Sequence, residues 1–254
     1  MSAMSALRFL HITDTHLVGD ENGSQRGVAV LASLRAVLAR ALQADIDAVL
    51  LTGDVVHDDP AGYEWIRREF AADGCPVLCI PGNHDEPQAM RRMLAGAPFR
   101  HGGVHDFGAW RIVMLDSCLP GRVEGLLREA ELRQLDTALA TAADRHVLVV
   151  LHHHPVAIGS DWLEPIGLVN AGEFTDIIDR HPGVRGILWG HVHQVFEQSR
   201  RNPHGELRLM ASPSTCVQFA PGATDFALDD KPPGCRLLCL QDDGRIDTEI
   251  LWVN

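Results

Sequence analysis

The sequence predicts an α/β fold built on a parallel core sheet. Short apolar runs of strand length alternate with stretches of helical periodicity, in the order β-α-β-α-β, and such alternation folds with right-handed crossovers. Five apolar runs end in clusters of Asp, Asn or His: Asp14-Thr15-His16, Gly53-Asp54, Gly82-Asn83-His84-Asp85, His152-His153-His154 and Gly190-His191-Val192-His193. Sites in parallel sheets gather at the carboxyl ends of strands, so five such tips point to one shared site. The 254 residues, 46% of them hydrophobic, suffice for one large domain with a sizeable core, and no linker divides 1–254.

Leu7 to Ile12 reads as the first strand, with Asp14 and His16 after it. On extended chain, residues two apart point to the same side and can grip one ion. Apolar residues at helical spacing, Val30, Leu31, Leu34, Val37, Leu38 and Ala41, predict a helix from Val28 to Leu42. Ala48 to Thr52 is a second buried strand, ending in Gly53-Asp54, where glycine lets the backbone come close to whatever Asp54 holds. A helix from Tyr63 to Ala72, the strand Val77 to Ile80 and a helix from Pro87 to Leu94 follow. Val104 to Phe107 and Trp110 to Leu115, split by Gly108-Ala109, read as a hairpin. Glu129 to Ala142 is helical, Val147 to Leu151 a buried strand, Glu173 to Arg180 a helix and Gly186 to Trp189 a strand. Antiparallel strands are expected at Val195 to Gln198, Leu207 to Ala211, Arg236 to Leu240 and Ile246 to Val253, interrupted by a region rich in Pro, Gly and Asp from Pro213 to Gly234.

Bulk composition excludes several function classes. The net charge of −12 argues against nucleic-acid binding, which needs a basic face, and requires a local positive centre for any anionic substrate. No apolar run approaches the roughly 20 residues that span a membrane, and Met1 to Arg8 is too short and weakly apolar for a signal peptide, so a cytoplasmic protein is expected. Cys75/Cys79 and Cys235/Cys239 lie in strand-like runs. Partners four apart on a strand sit roughly 13 Å apart, too far for a disulfide, so buried reduced thiols are expected.

The donors at the strand tips are Asp14, His16, Asp54, Asn83, one of the triple His, His191 and His193. Carboxylate, imidazole and amide without thiolate suit iron or manganese, with zinc as the other candidate. Seven donors exceed the needs of one such ion and match two, with a carboxylate bridging at roughly 3.5–4 Å separation. Two divalent ions against two carboxylates and a hydroxide leave about one positive charge, which supplies the local centre an anion needs.

These five clusters resemble the signatures of the calcineurin-like metallophosphoesterases across nearly the whole chain. Asp161-Trp162-Leu163, Leu168 to Ala171, Trp189 to Gln194 and above all Pro213 to Phe219 resemble bacterial class III 3′,5′-cyclic-AMP phosphodiesterases. The resemblance implies the metallo-dependent phosphatase fold, a four-layer α/β/β/α sandwich. It implies one metal on Asp14, His16, Asp54 and His193, and a second on Asp54, Asn83, His153 and His191, with Asp54 bridging. His153 is chosen because the family places the ligand two before a proline, here Pro155; His152 is the alternative, and His154 departs from the family pattern. His84 is expected as the catalytic group, with Asn83, His84 and His16 meeting the substrate phosphate and Asp85 orienting them. Cys216, Gln218 and Asn170 are candidates for the base pocket, while His57 with Asp58-Asp59 reads as a solvated loop. The implied reaction is hydrolysis of cyclic AMP to 5′-AMP by a metal-bridging hydroxide, in a monomer or homodimer. Another phosphodiester, such as a glycerophosphodiester, a nucleotide pyrophosphate or a 2′,3′-cyclic nucleotide, is the alternative substrate; a non-catalytic binding module is the remote one.

Overall fold

Alternation along the buried strands decides the architecture. The structure, a computed structural model, describes residues 6–253 apart from 44, 72 and 73. The leader reading over residues 1–5 and the Ala72 end of the second helix lie outside the described residues. One sheet contains β1 (Ala6–Ile12), β2 (Ala48–Thr52), β3 (Val77–Ile80) and β4 (Phe99–His101). The other contains β5 (Gly103–Phe107), β6 (Trp110–Met114), β7 (His146–Val150), β8 (Val184–Trp189), β9 (Phe196–Asn202) and β10 (Gly205–Ala211). The last strands, β11 (Gly234–Gln241) and β12 (Ile246–Trp252), return to the first sheet, giving the orders β12-β11-β1-β2-β3-β4 and β9-β10-β8-β7-β6-β5.

Every residue of β2, β3 and β6 is buried, as expected of strands covered on both faces. Their side chains sort into different layers with the period of two. Val49, Leu51 and Cys79 pack outward with helices α1 (Val30–Ala41), α2 (Tyr63–Phe70) and α3 (Pro87–Met93). Leu50, Leu78 and Ile80 turn inward to meet Ile112, Met114, Leu148 and Leu188 of the opposite sheet. Val113, Val149 and Trp189 face outward again, against α4 (Glu129–Ala140) and α5 (Ala171–Arg180). Three apolar seams thus separate four layers, helix, sheet, sheet and helix, which is the expected sandwich. Truncating a residue of the central seam, such as Leu50 to Ala, costs about 2–5 kcal/mol.

β1, β2, β3 and β4 are mutually parallel, as are β6, β7, β8 and β10. One expectation of pairing is corrected here. The 207–211 stretch pairs parallel with β8 as well as antiparallel with β9, so it extends the core sheet. β4 is an additional parallel strand; its three residues are too few to show a periodicity. Cys75 precedes β3, so the first cysteine pair does not share a strand. Helix α1 begins at Val30 because Val28 and Ala29 pair with Ser24 and Gln25 in a small ribbon. No helix among the described residues is long and apolar enough to cross a membrane.

Candidate metal centre

Both sheets contribute to the site, from the carboxyl ends of parallel strands. Asp14 and His16 follow β1, Asp54 follows β2, and Asn83 and His84 follow β3. From the second sheet come His152 after β7, and His191 and His193 after β8. The 13–17 segment lies along 53–57, tied by backbone bonds from Asp14 N to Gly53 O (3.0 Å), His16 N to Asp54 O (2.9 Å) and Leu17 N to Val55 O (2.9 Å).

Asp14 and His16 do not present themselves from extended chain. Their φ values are 55° and 46°, and Asp54, His191 and His193 also sit at positive φ, at 46°, 65° and 44°. Such conformations cost about 1–3 kcal/mol each outside glycine. They cluster at the donor residues, where the tips must curl inward. Two glycines make the approach possible: a Cβ at Gly82 would lie 2.3 Å from Asp54 Oδ1 and 2.7 Å from His152 Nε2, and one at Gly53 would lie 2.6 Å from His152 Nδ1.

Hydrogen bonds aim the imidazoles. His193 donates Nδ1–H to Val217 O at 2.8 Å, leaving Nε2 3.4 Å from Asp14 Oδ1 and 3.1 Å from His16 Nε2. His152 donates Nδ1–H to Thr52 O at 2.7 Å, leaving Nε2 3.5 Å from Asp54 Oδ1. Fixing one ring nitrogen on a carbonyl sets the tautomer and presents the other as a ligand atom. Asp14, His16 and His193 form one group with closely spaced donor atoms; Asp14, Asp54 and His152 form another. Asn83 Oδ1, His152 Nε2 and His191 Nε2 are buried with no hydrogen-bond partner. Orphaned buried donors and acceptors cost roughly 1–3 kcal/mol apiece, which a cation would relieve. The residues present therefore fit two metal ions.

His153 does not share this orientation. Its Nδ1 is 2.8 Å from Ser117 Oγ and its Nε2 3.1 Å from Val123 O, so both ring nitrogens are already used. Of the two candidates in this run, His152 keeps an unpartnered ring nitrogen, while His153, whose donor atom also lies close to those of His152 and His191, has both of its nitrogens engaged.

Charges follow the geometry. Burial alone would raise the Asp54 carboxyl; His152 and His16 outweigh it and hold the group well below the carboxylate range. Burial opposes charge on His152, yet Asp54 and Asp14 lift its pKa to about 9. His16 has only partial compensation, and burial pushes it down to about 3. Asp85 is raised to about 6, first by burial and then by Asp54. It accepts from Gly82 N (2.9 Å), Val55 N and Val56 N (both 3.2 Å) and Tyr63 Oη (2.7 Å), clamping the Asn83 loop to the Asp54 loop.

The profile of the calcineurin-like phosphoesterases matches residues 7–195. The chain belongs to that family. Near full-length similarity extends to the 3′,5′-cyclic adenosine monophosphate phosphodiesterase CpdA of Pseudomonas aeruginosa, 43% identical over 98% of this chain and 91% of the relative. The protein of that name from Escherichia coli K12 is 37% identical over 98% and 91%. A 3′,5′-cyclic-nucleotide phosphodiesterase of Nostoc is 34% identical over 98% and 94%. Among solved structures, a dimetal phosphatase from Danio rerio superposes with a TM-score of 0.65 over 98% of this chain and 99% of that one, at 16% identity, a likeness of fold.

Within this calcineurin-like phosphoesterase, one cleft is lined by His16, Asp54, Asn83, His84, His191 and His193 together. His84 donates its backbone N–H to Asp54 Oδ1 at 2.9 Å, and its Nδ1 lies 3.1 Å from Asp58 Oδ2. His57 is no bystander: its ring stacks on His84 at 4.4 Å and its Nδ1 lies 3.0 Å from His16 Nδ1. Of the base-pocket candidates, Cys216 lines the cleft, whereas Gln218 is spent on Ser214 and Asn170 on the backbone of Leu127. Arg26, Trp162 and Phe226 also line it and went unread in the sequence as site residues, although Trp162 stands in a stretch carrying the resemblance.

Proposed function

We propose that this chain is a metal-dependent phosphodiesterase that hydrolyses 3′,5′-cyclic AMP to 5′-AMP. The observation that carries the reading is the trio of unpartnered buried atoms, Asn83 Oδ1, His152 Nε2 and His191 Nε2, near the carboxylates of Asp14 and Asp54, at a cleft lined by Asp54, Asn83 and His191. The substrate rests on the near full-length similarity to enzymes named for cyclic AMP.

In this reading Asp14, His16, Asp54 and His193 hold one ion, and Asp54, Asn83, His152 and His191 hold the other. The nitrogen and oxygen donors suit iron or manganese, with zinc as the third candidate. Bound there, the pair supplies Lewis acidity and a nucleophile at neutral pH for in-line displacement at phosphorus.

The chain's own groups handle the rest. Water adds to phosphorus, the bond to the ribose 3′ oxygen breaks, and that oxygen leaves with a proton. His84 is the donor: Asp58 engages Nδ1, leaving Nε2 for the substrate. Asp85 and Tyr63 keep the Asn83–His84 loop in place while charge moves. The buried thiols of Cys79, Cys118 and Cys235 suit a reducing cytoplasm, where we place the reaction.

Protein loaded with manganese or iron is expected to convert cyclic AMP to 5′-AMP, and Asp54→Ala to abolish turnover. A higher kcat/KM for a glycerophosphodiester than for cyclic AMP would overturn the substrate assignment. Wild-type turnover in Asp54→Ala would overturn the mechanism.

A further inference from the structure

The lip of the cleft carries a second kind of chemistry. Trp162, Phe219 and Phe226 meet edge to face, with centroid separations of 5.1 Å, 5.2 Å and 5.5 Å. Phe219 also stacks flat on His193, at 4.1 Å and 6° between planes. The aromatic cluster is therefore continuous with the metal-ligand shell. Phe226 remains 44% exposed, where every other Phe, Trp and Tyr among the described residues is buried or half-buried.

Above Phe226 stands Arg26, its guanidinium 4.3 Å from the ring centroid. Arg26 is at φ 47°, followed by Gly27 at φ 86°, in the turn of the 24–29 ribbon, so the backbone there spends strain to place it. Among the described residues Arg26 has no carboxylate partner, although the chain carries 34 acidic residues against 22 basic ones. An unpaired cation over exposed ring surface, beside a phosphoester site, matches a ligand that joins a flat aromatic ring to a negative charge.

We infer that Arg26, Trp162, Phe219 and Phe226 form the subsite that takes the nucleobase of the substrate. This deepens the proposed function and rests on it. The base lies against the part of the Phe226–Trp162 surface that Arg26 leaves open, the Arg26 guanidinium borders it, and Phe219 relays its position to His193. A glycerophosphodiester has no ring to fill this surface, so the subsite also accounts for selection among phosphodiesters. Stacking of a base on an aromatic side chain is sequence-tolerant, so the subsite favours nucleotides as a class.

The test compares cyclic AMP with ribose 3′,5′-cyclic phosphate, which lacks the base, in the metal-loaded enzyme. Phe226→Ala is expected to lower the ratio of the two kcat/KM values by about tenfold, through KM for cyclic AMP, within the range for loss of one stacking ring. Phe226→Trp is expected to keep the ratio, and Arg26→Met to lower it by a smaller factor. As a binding readout, 5′-AMP is expected to quench Trp162 fluorescence, with ribose 5-phosphate leaving it unchanged and Trp162→Phe removing the response. An unchanged ratio in Phe226→Ala, in an enzyme that does turn over cyclic AMP, overturns the subsite alone. A wild-type protein inert toward cyclic AMP overturns the parent reading and the subsite with it.

Discussion

Exchanging neighbours in the triple histidine separates a ligand from a structural residue. His153 is fully buried and makes two hydrogen bonds, to Ser117 Oγ and to Val123 O. His153→Ala removes both, at about 1 kcal/mol each, and leaves a ring-sized void worth about another 1 kcal/mol. The expected loss of about 3 kcal/mol lowers the melting temperature by roughly 6–12 °C for a chain of this size. Metal content stays at the wild-type level. His152→Ala removes the Nε2 that faces Asp54, and metal affinity is expected to fall by at least about 100-fold, beyond the 10–100-fold that loss of an outer partner costs. Elemental analysis after dialysis against a fixed free metal concentration, alongside thermal melts, reads both effects. If His153→Ala lost metal while His152→Ala retained it, the reasoning from ring-nitrogen orientation would be refuted.

Other expectations follow from the same contacts. In Gly82→Ala the new methyl collides with Asp54 Oδ1 and His152 Nε2, so turnover should drop by more than about 100-fold in a folded protein; activity near wild type would show the cradle to be loose. His84→Ala is expected to slow cyclic AMP hydrolysis by about 10²–10³-fold but a p-nitrophenyl diester by far less, because that leaving group needs no proton; equal losses would remove His84 as the donor. His11 is pushed down to about 3 by burial, with Arg236 adding to it, so it stays neutral in the fold while the unfolded chain protonates near 6.5. Its contribution is intact above pH 6.5 and lost as pH falls toward 3, roughly 2 kcal/mol by pH 5, and urea midpoints across that range should flatten in His11→Gln. Asp85→Asn keeps one acceptor oxygen and turns the other into an NH2 group that faces donors, either Gly82 and Val55 or Val56 and Tyr63, and kcat should fall about 10-fold or more with secondary structure unchanged by circular dichroism.

Much of the fold, and which polar strand tips come together at one cleft, was legible because both depend on local pattern. Buried strands announce themselves as apolar runs, and a polar tip after such a run has few other places to go than the sheet's carboxyl edge. What escaped depends on distant partners. All three histidines of the 152–154 run are buried, and Thr52, Ser117 and Val123, far away in the chain, decide where the first two rings point. The parallel pairing of β10 depends on β8, and nothing within 205–211 declares it. Arg26 and Phe226 come from irregular loops without periodicity, and His57 reads like any turn residue until His84 is laid against it.

The order of strands in the first sheet has a consequence for synthesis on the ribosome. β1, which delivers Asp14 and His16, lies between β2 and β11, and β11 follows every other strand of the two sheets except β12. Until residues 234–241 emerge, the nascent chain exposes one flank of its earliest strand, with unpaired amides and carbonyls. A chain released after residue 230 should therefore clump rather than idle as a folded, inactive protein, and the growing polypeptide would need shielding along that flank until residue 241 has emerged.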